Sequence, residues 1–359
     1  MPMTMSPTTH NRDYSLDILR IAATILIVFH HYQQCTGAFF EGRLNFYNGR
    51  FYFGYIVEFF FLLSGFFMVS YIGRIRDGLP FRKFLLKRVI RLLPLVFLSG
   101  AAYEIILCLH KFIIGTDWFQ IQVNPWGLII DALGIQDGWV FPNPSVNNPT
   151  WYISVLLLCY ILFFILTYIA KRLKFSPVYL YIFMVLIGCG IRTYSISLPF
   201  LNSSSSRGFY AFFFGILLGM LLQKYPLRKK HVILSACLIA LLSYLIFSHW
   251  TWVEANINYL MTFCFYPALI VIFSSDTARS MFRHPIIGTL GKITYDVYLW
   301  HNPLFPLMFV MLHIFGLSPN LNSMRAMILY TVISFGAGTI SYFVLDKPIH
   351  RYLQKKTGA

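Results

Sequence analysis

Two adjacent histidines and one arginine lie within the apolar segment LRIAATILIVFHHYQQ, residues 19–34. An α-helix turns about 100° per residue, so the eleven steps from Arg20 to His31 come within about 20° of three full turns and rise about 16 Å. These two side chains therefore share one face of the helix, whereas His30 points about 80° away. Near pH 7 a neutral imidazole can act as a general base or as a nucleophile. The spacing favours His31 for that chemistry; the alternative is that either histidine is an interfacial side chain hydrated by water.

A carboxylate lies inside the next apolar segment, GYIVEFFFLLSGFF, residues 54–67. An ionised group inside a bilayer is costly and therefore requires a partner. We expect Glu58 to pair with a histidine or an arginine of the first segment, where it would orient His31 and stabilise the imidazolium. A purely structural ion pair is the alternative. The neighbouring Ser64 and Gly65 predict close packing against another helix.

Two arginines three residues apart precede a proline in KRVIRLLP, residues 87–94. Residues at this spacing lie on one side of a helix, so Arg88 and Arg91 can act together. Paired guanidinium groups match the geometry of phosphate oxygens, which predicts a site for a phosphorylated molecule. The alternative is that both are ordinary positive charges at the cytoplasmic edge of a span. Pro94 is expected to start the following span or to kink it.

The late segment GKITYDVYLWHNPL, residues 291–304, carries two further ionisable residues, Asp296 and His301. Its Trp-His-Asn-Pro run predicts a broken or kinked helix that lines a cavity, because the backbone groups freed by a proline must find other partners. Tyr295 and Tyr298 would add hydroxyl groups to the wall of that cavity.

A long polar connection, residues 114–150, is expected to form a cap over the outer face, with a short helix near 126–134. Trp151 follows it, where a tryptophan is typical of the membrane–water interface, and it is a candidate for lining the site. We expect this connection and the stretch PFLNSSSSR, residues 199–207, to influence the choice of substrate at that face.

These segments belong to a chain whose composition is that of a membrane protein. Of its 359 residues, 57% are hydrophobic and only 12% are charged, and the mean hydropathy is +0.64. A water-soluble domain needs a more charged surface. Apolar runs of about 17–25 residues match the bilayer core, which predicts an all-α polytopic membrane protein with about ten transmembrane helices. The predicted spans are 15–35, 51–72, 92–113, 150–170, 178–197, 208–223, 232–249, 257–273, 293–314 and 324–345.

The chain is expected to form one integral membrane domain, residues 1–359, with short tails at 1–14 and 346–359. The first span is not typical of a cleaved signal peptide, because it carries charge and lacks a small-residue cleavage site. The six cysteines are scattered in or beside the spans, which predicts neither a disulfide framework nor a metal site.

The formal net charge of +16 is distributed unevenly. If the N-terminus lies inside, all but six of the 29 lysines and arginines fall in or beside cytoplasmic segments, as the positive-inside rule requires. Both termini are therefore predicted to be cytoplasmic, and the charge reports orientation rather than a nucleic-acid partner. The six on or near the other side are Arg43, Arg50, Lys111, Arg192, Arg207 and Arg325.

Taken in order along the chain, five motifs resemble those of the acyltransferase-3 family of integral membrane acyltransferases. That family pairs an arginine with a histidine across ten intervening residues, a pattern that Arg20 and His31 match. Glu58 occupies the acidic place of its second motif, and Arg88 with Arg91 matches its Arg-x-x-Arg motif. The five motifs are LDILRIAATILIVFHH (16–31), VEFFFLLSGFF (57–67), KRVIRLLP (87–94), LGKITYDVYLWHNPL (290–304) and VLDKPIHRYL (344–353).

The resemblance implies transfer of an acyl group, usually acetyl, from cytoplasmic acyl-CoA to a hydroxyl of a cell-surface or envelope glycan. It implies Arg20, His31 and Glu58 as catalytic residues. It also implies that Arg88 and Arg91 bind the phosphates of acyl-CoA, which is then a donor substrate rather than a permanently bound cofactor. The protein would lie in a bacterial cytoplasmic (inner) membrane, with a glycan or a lipid-linked sugar as acceptor.

One position departs from the family. Many members carry a glutamate in the run after the mid-chain tryptophan, where this chain has Leu156, so no carboxylate role is expected there. The main alternative function is a transporter or flippase for an envelope glycan or a lipid-linked precursor, because many spans with intramembrane charges suit one. A structural membrane protein without catalysis is a third alternative. The arginine-rich segment 74–91 and the lack of a detectable inverted repeat favour the enzyme.

Overall fold

The computed structural model describes residues 14–49, 51–119, 123–139, 146–248 and 250–358. These residues are mostly α-helical, and no β-strand is found among them. The helices are α1 Tyr14–Thr36, α2 Ile56–Arg76, α3 Phe81–Ile114, α4 Pro125–Leu133, α5 Trp151–Arg172, α6 Val178–Thr193, α7 Ser203–Lys224, α8 Lys229–Phe247, α9 Thr251–Ala255, α10 Ile257–Leu260, α11 Tyr266–Phe273, α12 Asp276–Met281, α13 Pro285–Trp300, α14 Leu304–Ile314, α15 Met324–Ser341 and α16 Lys347–Thr357. Short 3₁₀ turns lie at Phe53–Tyr55 and Asn148–Thr150, and π-helical turns at Met261–Phe265 and Tyr342–Asp346.

Within the described ranges, seven helical segments are long and apolar enough to cross a membrane. They contain α1, α2, α3, α5, α7, α8 and α15 with α16. An eighth is the pair α13 and α14, which bends by 67° at its junction. Two shorter apolar helices, 178–193 and 257–273, lie where the other two spans are predicted. The all-α membrane fold is thus confirmed, while the membrane crossing of the two shorter helices and the cytoplasmic position of the termini stay predictions.

The start of the third span differs from the prediction. α3 begins at Phe81, so Pro94 lies inside the helix and does not start it. The intervening leucines, lysines and arginines are good helix formers, and they extend the helix beyond its apolar part. The predicted short helix near 126–134 is confirmed as α4, where the Asn124 side chain accepts a hydrogen bond from the N–H of Gly127.

α2 and α7 run side by side in the same direction and approach closely. A Cβ atom added to Gly65 would lie 1.9 Å from the carbonyl oxygen of Phe212, and one added to Gly215 would lie 2.0 Å from that of Leu62. Only glycine allows two helix backbones to come this near. The predicted close packing at Gly65 is therefore confirmed, and it brings the first turns of both helices to one level.

α13 packs against α1 and α15 through glycines as well. A Cβ atom at Gly291 would lie 2.5 Å from the carboxylate of Asp17, and one at Gly338 would lie 2.8 Å from the backbone nitrogen of Val297. α1 and α13 run in the same direction, so the ends of both helices reach the same end of the bundle.

Several connections between helices also lie at that end of the bundle. α1 and α13 end there, α2 and α7 begin there, and the side chains that line one cleft there include Tyr52, Asp137, Asn148, Arg192 and Ser203. We call it the loop end. The opposite end carries the arginine-rich segment 74–91, and we call it the basic end.

Candidate active site

His31 and His301 form a hydrogen-bonded pair near the loop end. The Nδ1 atom of His31 lies 2.9 Å from Nε2 of His301, and the ring centroids are 4.9 Å apart. His31 lies near the end of α1, and His301 lies at the break between α13 and α14. The two residues are 270 positions apart in the sequence, so only the packing of α13 on α1 brings them together.

The helix break places His301. α13 ends at Trp300, and α14 starts only after Pro303, whose missing N–H interrupts the helical hydrogen bonds. The carbonyl of His301 is released from the helix and accepts a hydrogen bond from the hydroxyl of Tyr330 in α15. The predicted break in the Trp-His-Asn-Pro run is therefore confirmed.

The neighbours of His301 allow us to assign the protons of the pair. Its Nδ1 lies 3.2 Å from the carbonyl oxygen of Val297, which can only accept, so Nδ1 carries the proton of the neutral ring. Its Nε2 then accepts the Nδ1–H of His31. This leaves the lone pair of neutral His31 on Nε2, which forms no hydrogen bond with any described residue. That nitrogen can take a proton from a substrate.

His30 has a different environment from His31. Its Nδ1 lies 2.9 Å from the carbonyl oxygen of Phe46, and its ring packs edge-on against Tyr47 and Tyr52. The side chain is buried and anchors the connection between α1 and α2. The preference for His31 stays a prediction, and the two environments give a physical reason for it.

The partner predicted for Glu58 is wrong. Its carboxylate is fully buried and binds Arg207 of α7, with Nε 2.7 Å from Oε1 and Nη2 2.6 Å from Oε2. The hydroxyl of Tyr210 donates to Oε1 at 2.9 Å. The cause is the close approach of α2 to α7 at Gly65, which puts the carboxylate beside α7 rather than beside α1. Glu58 therefore does not touch His31.

Arg88 and Arg91 do not form one paired surface. The Arg88 guanidinium is buried, lies 3.6 Å from the ring centroid of Phe84 and donates to the sulfur of Met68 in α2. Arg91 forms an ion pair with Asp346, in the π-helical turn before α16. The two arginines reach opposite neighbours of α3, because the helix is packed on both sides at this level. Their role in phosphate binding stays a prediction.

Arg20 lies on α1 toward the basic end, and its Nη1 is 3.3 Å from the carboxylate of Asp17. Its side chain stays partly exposed. Because α1 is continuous from Tyr14 to Thr36, Arg20 and His31 share one face about 16 Å apart, as the spacing predicts.

The three aromatic candidates, Tyr298, Tyr295 and Trp151, lie in different parts of the structure. The ring of Tyr298 lies 5.9 Å from that of His301, and its hydroxyl donates to the carbonyl of Pro149 at 2.5 Å. Tyr295 instead donates to the carbonyl of Leu92 at 2.8 Å, toward the basic end. Trp151 lies beneath Arg207, whose guanidinium carbon is 4.9 Å from the ring centroid.

A cleft with a volume of 370 Å³ opens at the loop end, and we call it the loop-end cleft. One wall contains Tyr52, whose ring lies 4.9 Å from that of His30, and the His30 ring lies 5.1 Å from that of His31. Neither His31 nor His301 lines it directly. The residues that do are Tyr52, Tyr55, Asp137, Asn148, Trp151, Arg192, Ser203, Ser204 and Arg207.

Sequence reasoning placed only Trp151 of this cleft among the site residues. Arg207 lies in the stretch 199–207 that is expected to influence substrate choice, but its position after four serines and at the start of an apolar helix did not single it out as a site residue. No group of three or more His, Cys, Asp or Glu side chains that could hold a metal ion occurs in the part of the chain that the structure describes.

Comparison with known proteins gives one family and several distant relatives. Residues 13–345 match the acyltransferase-3 family, which is described as an acyltransferase domain. Proteins of Staphylococcus aureus strains COL, MSSA476 and MRSA252, each named as a putative O-acetyltransferase, are 23% identical over 325 residues. The match covers 80% of this chain and 49% of each relative, so the chain spans about half the length of the curated relatives it matches. No solved structure matches the chain.

Proposed function

Because the chain belongs to the acyltransferase-3 family, we propose that it transfers an acyl group, specifically acetyl, from acyl-CoA to a hydroxyl of an envelope glycan. The observation that carries the proposal is the His31–His301 pair, which gives an apolar helical bundle an imidazole with a basic nitrogen available. The relatives that bear an O-acetyltransferase name support acetyl as the group and a hydroxyl as its acceptor.

In the proposed reaction, His31 acts as the general base. Its Nε2 takes the proton of the acceptor hydroxyl while the hydroxyl oxygen attacks the thioester carbonyl of acetyl-CoA. A C–O bond forms and the C–S bond breaks. The CoA thiolate takes the proton from His31, which leaves an acetyl ester, CoA thiol and a neutral imidazole. His301 holds the Nδ1–H of His31 throughout, so the imidazolium has an orienting partner when it forms.

An acyl-carrier role for His31 uses the same nitrogen. Nε2 would attack the thioester itself, hold the acetyl group and pass it to the glycan hydroxyl in a second step. We prefer the base role because it needs one transfer of the acetyl group rather than two.

The donor is expected to bind from the basic end. The phosphates of acyl-CoA would lie in the cytoplasm, and its thioester arm would extend along the face of α1 that carries Arg20 and His31. Arg20 and Arg91 are both partly exposed, and guanidinium groups suit phosphate oxygens. Arg88 is buried between α2 and α3, so its contribution would be to hold these helices together.

Radiolabelled acetyl-CoA tests the proposal in permeabilised membranes that contain the full chain. Wild type should move label into the envelope carbohydrate of the host, and His31→Ala should lower that rate by about 10²–10⁴-fold, the usual contribution of a general base. His30→Ala is the matched control, since it removes the adjacent histidine, and it should keep most of the activity.

Two outcomes contradict the proposal. An inactive His30→Ala together with an active His31→Ala would assign the base to the other histidine. Wild type that incorporates no label, at normal expression and with CoA bound, would rule out acetyl transfer and point to another acyl donor.

A flippase for a glycan precursor is the second candidate, because broken membrane helices such as α13–α14 also occur in transporters. A flippase would move a labelled precursor across a vesicle membrane without any acyl-CoA. Release of CoA thiol, followed with a thiol reagent, is expected only of the transferase.

A further inference from the structure

The loop-end cleft contains two arginines in unlike electrostatic surroundings. The charge of Arg207 is met by the buried Glu58 carboxylate, 2.6 Å away. Arg192, in the last turn of α6, forms no ion pair with any carboxylate of the described chain. A partly buried cation without a counter-ion favours a negatively charged ligand.

Arg207 is held rigidly but keeps one donor group available. Its Nε and Nη2 bind Glu58, and Nη2 also donates to the carbonyl of Gly54 at 2.6 Å. Nη1 forms no hydrogen bond with any residue that the structure describes. A guanidinium fixed in this way has already lost its side-chain entropy, so it binds an anion at lower cost than a mobile one.

Among the described residues that line the cleft, Asp137 is the only one with a carboxyl group; it lies in the connection between α4 and α5. Burial raises the pKa of the Asp137 carboxyl, and a hydrogen bond from the side chain of Ser204 opposes that shift. The oxygens of this carboxyl group can accept hydrogen bonds from the hydroxyl groups of a sugar.

The remaining walls suit a sugar. Tyr52, Tyr55 and Trp151 provide aromatic rings, and Asn148 and Ser203 provide neutral polar groups. Aromatic walls with a few fixed polar groups, and a volume of 370 Å³, are typical of sites for small organic molecules.

From these contacts we propose that the loop-end cleft binds the acceptor sugar, and that this sugar carries an anionic group, a carboxylate or a phosphate, held by Arg192 and Nη1 of Arg207. The inference rests on the proposed function, since the cleft lies at the opposite end of the bundle from the expected acyl-CoA phosphates. It adds a substrate class: an acidic glycan is acetylated in preference to a neutral one.

The test supplies two acceptor pools to permeabilised membranes with radiolabelled acetyl-CoA. Glycan fragments released from the host envelope are separated on an anion-exchange resin into an acidic and a neutral pool. Wild type should label the acidic pool at least about tenfold faster, because hydrogen bonds to a charged group are worth about ten- to a hundredfold in binding. Phosphatase treatment of the acidic pool distinguishes the two anions. If the anion is a phosphate, the treatment removes it and the faster labelling is lost. If the anion is a carboxylate, the faster labelling remains.

Arg192→Gln is the variant, because Arg192 forms no ion pair with any carboxylate of the described residues, so its loss should not disturb folding. It should raise KM for the acidic pool about tenfold and leave the neutral pool unchanged. Arg325→Gln is the matched control, an exposed arginine outside the cleft that is predicted to lie on the same side of the membrane. It should match wild type with both pools.

The possible failures are distinguishable. Equal labelling of both pools, faster labelling of the neutral pool, or an Arg192→Gln enzyme that behaves like Arg325→Gln would overturn the inference and leave the proposed function intact. Label in neither pool with wild type would remove the proposed function and this inference with it.

Discussion

The Glu58–Arg207 and His31–His301 pairs each connect two helices of the bundle, and they differ in which of their polar atoms have partners. Both carboxylate oxygens of Glu58 accept hydrogen bonds, from Arg207 and Tyr210. In the histidine pair, Nδ1 of His31 binds His301, while Nε2 has no partner among the described residues. The Glu58 carboxylate has both oxygens occupied and fixes α2 to α7, whereas His31 keeps one basic nitrogen that can react.

The two pairs also differ in charge. Glu58 and Arg207 are ions that stabilise each other, and removing either one leaves a buried charge. His31 and His301 are neutral in the assignment above, so their burial costs less, and charge forms only during the reaction. The comparison predicts that changes at Glu58 act mainly on stability and that changes at the histidines act mainly on rate.

The largest effect is expected from Glu58→Gln. The change leaves the partly buried Arg207 without a counter-ion, which should lower the free energy of unfolding by about 3–5 kcal/mol. Unfolding of the purified protein in mixed detergent micelles, titrated with SDS, measures the change. The double variant Glu58→Gln with Arg207→Met removes both charges and should recover most of the loss. A single variant as stable as wild type would show that the ion pair does not hold α2 to α7.

His301→Phe should lower kcat by about a hundredfold, within the usual range for general-base catalysis, and leave KM for acetyl-CoA unchanged. Phenylalanine cannot accept the Nδ1–H of His31, so the imidazole loses its orientation. His301→Gln is the matched control, because its amide oxygen can accept that hydrogen bond and should restore part of the rate. Equal loss in both variants would indicate that His301 does more than position His31.

Gly65→Ala should destabilise the protein by about 1–3 kcal/mol, the usual cost of overpacking. The added Cβ would lie 1.9 Å from the carbonyl oxygen of Phe212, so α2 and α7 must separate. Gly73→Ala, on the same helix, is the control: nothing lies within 4 Å of its added Cβ, and alanine is the better helix former. The same unfolding titration compares them, and equal stability of the two variants would contradict the close approach at Gly65.

The smallest effect is expected from Tyr330→Phe, which removes the hydroxyl that donates to the carbonyl of His301. The loss should be about 0.5–1.5 kcal/mol in the free energy of unfolding, the net value of one hydrogen bond. Tyr352→Phe, at an exposed tyrosine of α16, should have no effect in the same measurement. If Tyr330→Phe is equally silent, the carbonyl at the helix break is satisfied in another way.

The sequence alone was sufficient to predict those structural features that depend on neighbouring residues in the chain. The break at residues 300–303 follows from Pro303, and α4 follows from the Asn124 cap and its proline. The pairing of Arg20 and His31 on one face follows from helix geometry, since α1 is continuous.

Contacts between distant segments were not predictable in the same way. Glu58 and Arg207 lie 149 positions apart, and their meeting depends on glycines of α2 and α7 that allow one particular approach. The His31–His301 bond spans 270 positions and depends on the packing of α13 against α1. A single sequence shows that such buried groups need partners, but the partner is selected by tertiary packing.

The break between α13 and α14 also sets the local electrostatic field. A helix that ends within the bundle presents a partial negative charge at its C-terminus, because its last carbonyl groups all point the same way. His301 directly follows the end of α13, so the imidazolium that forms on His31 would lie close to this negative end. Such a helix end stabilises a nearby cation by about 0.3–1 kcal/mol. An unbroken helix through residues 285–314 would place its macrodipole ends at the two membrane surfaces, where they could not act on the reacting histidine.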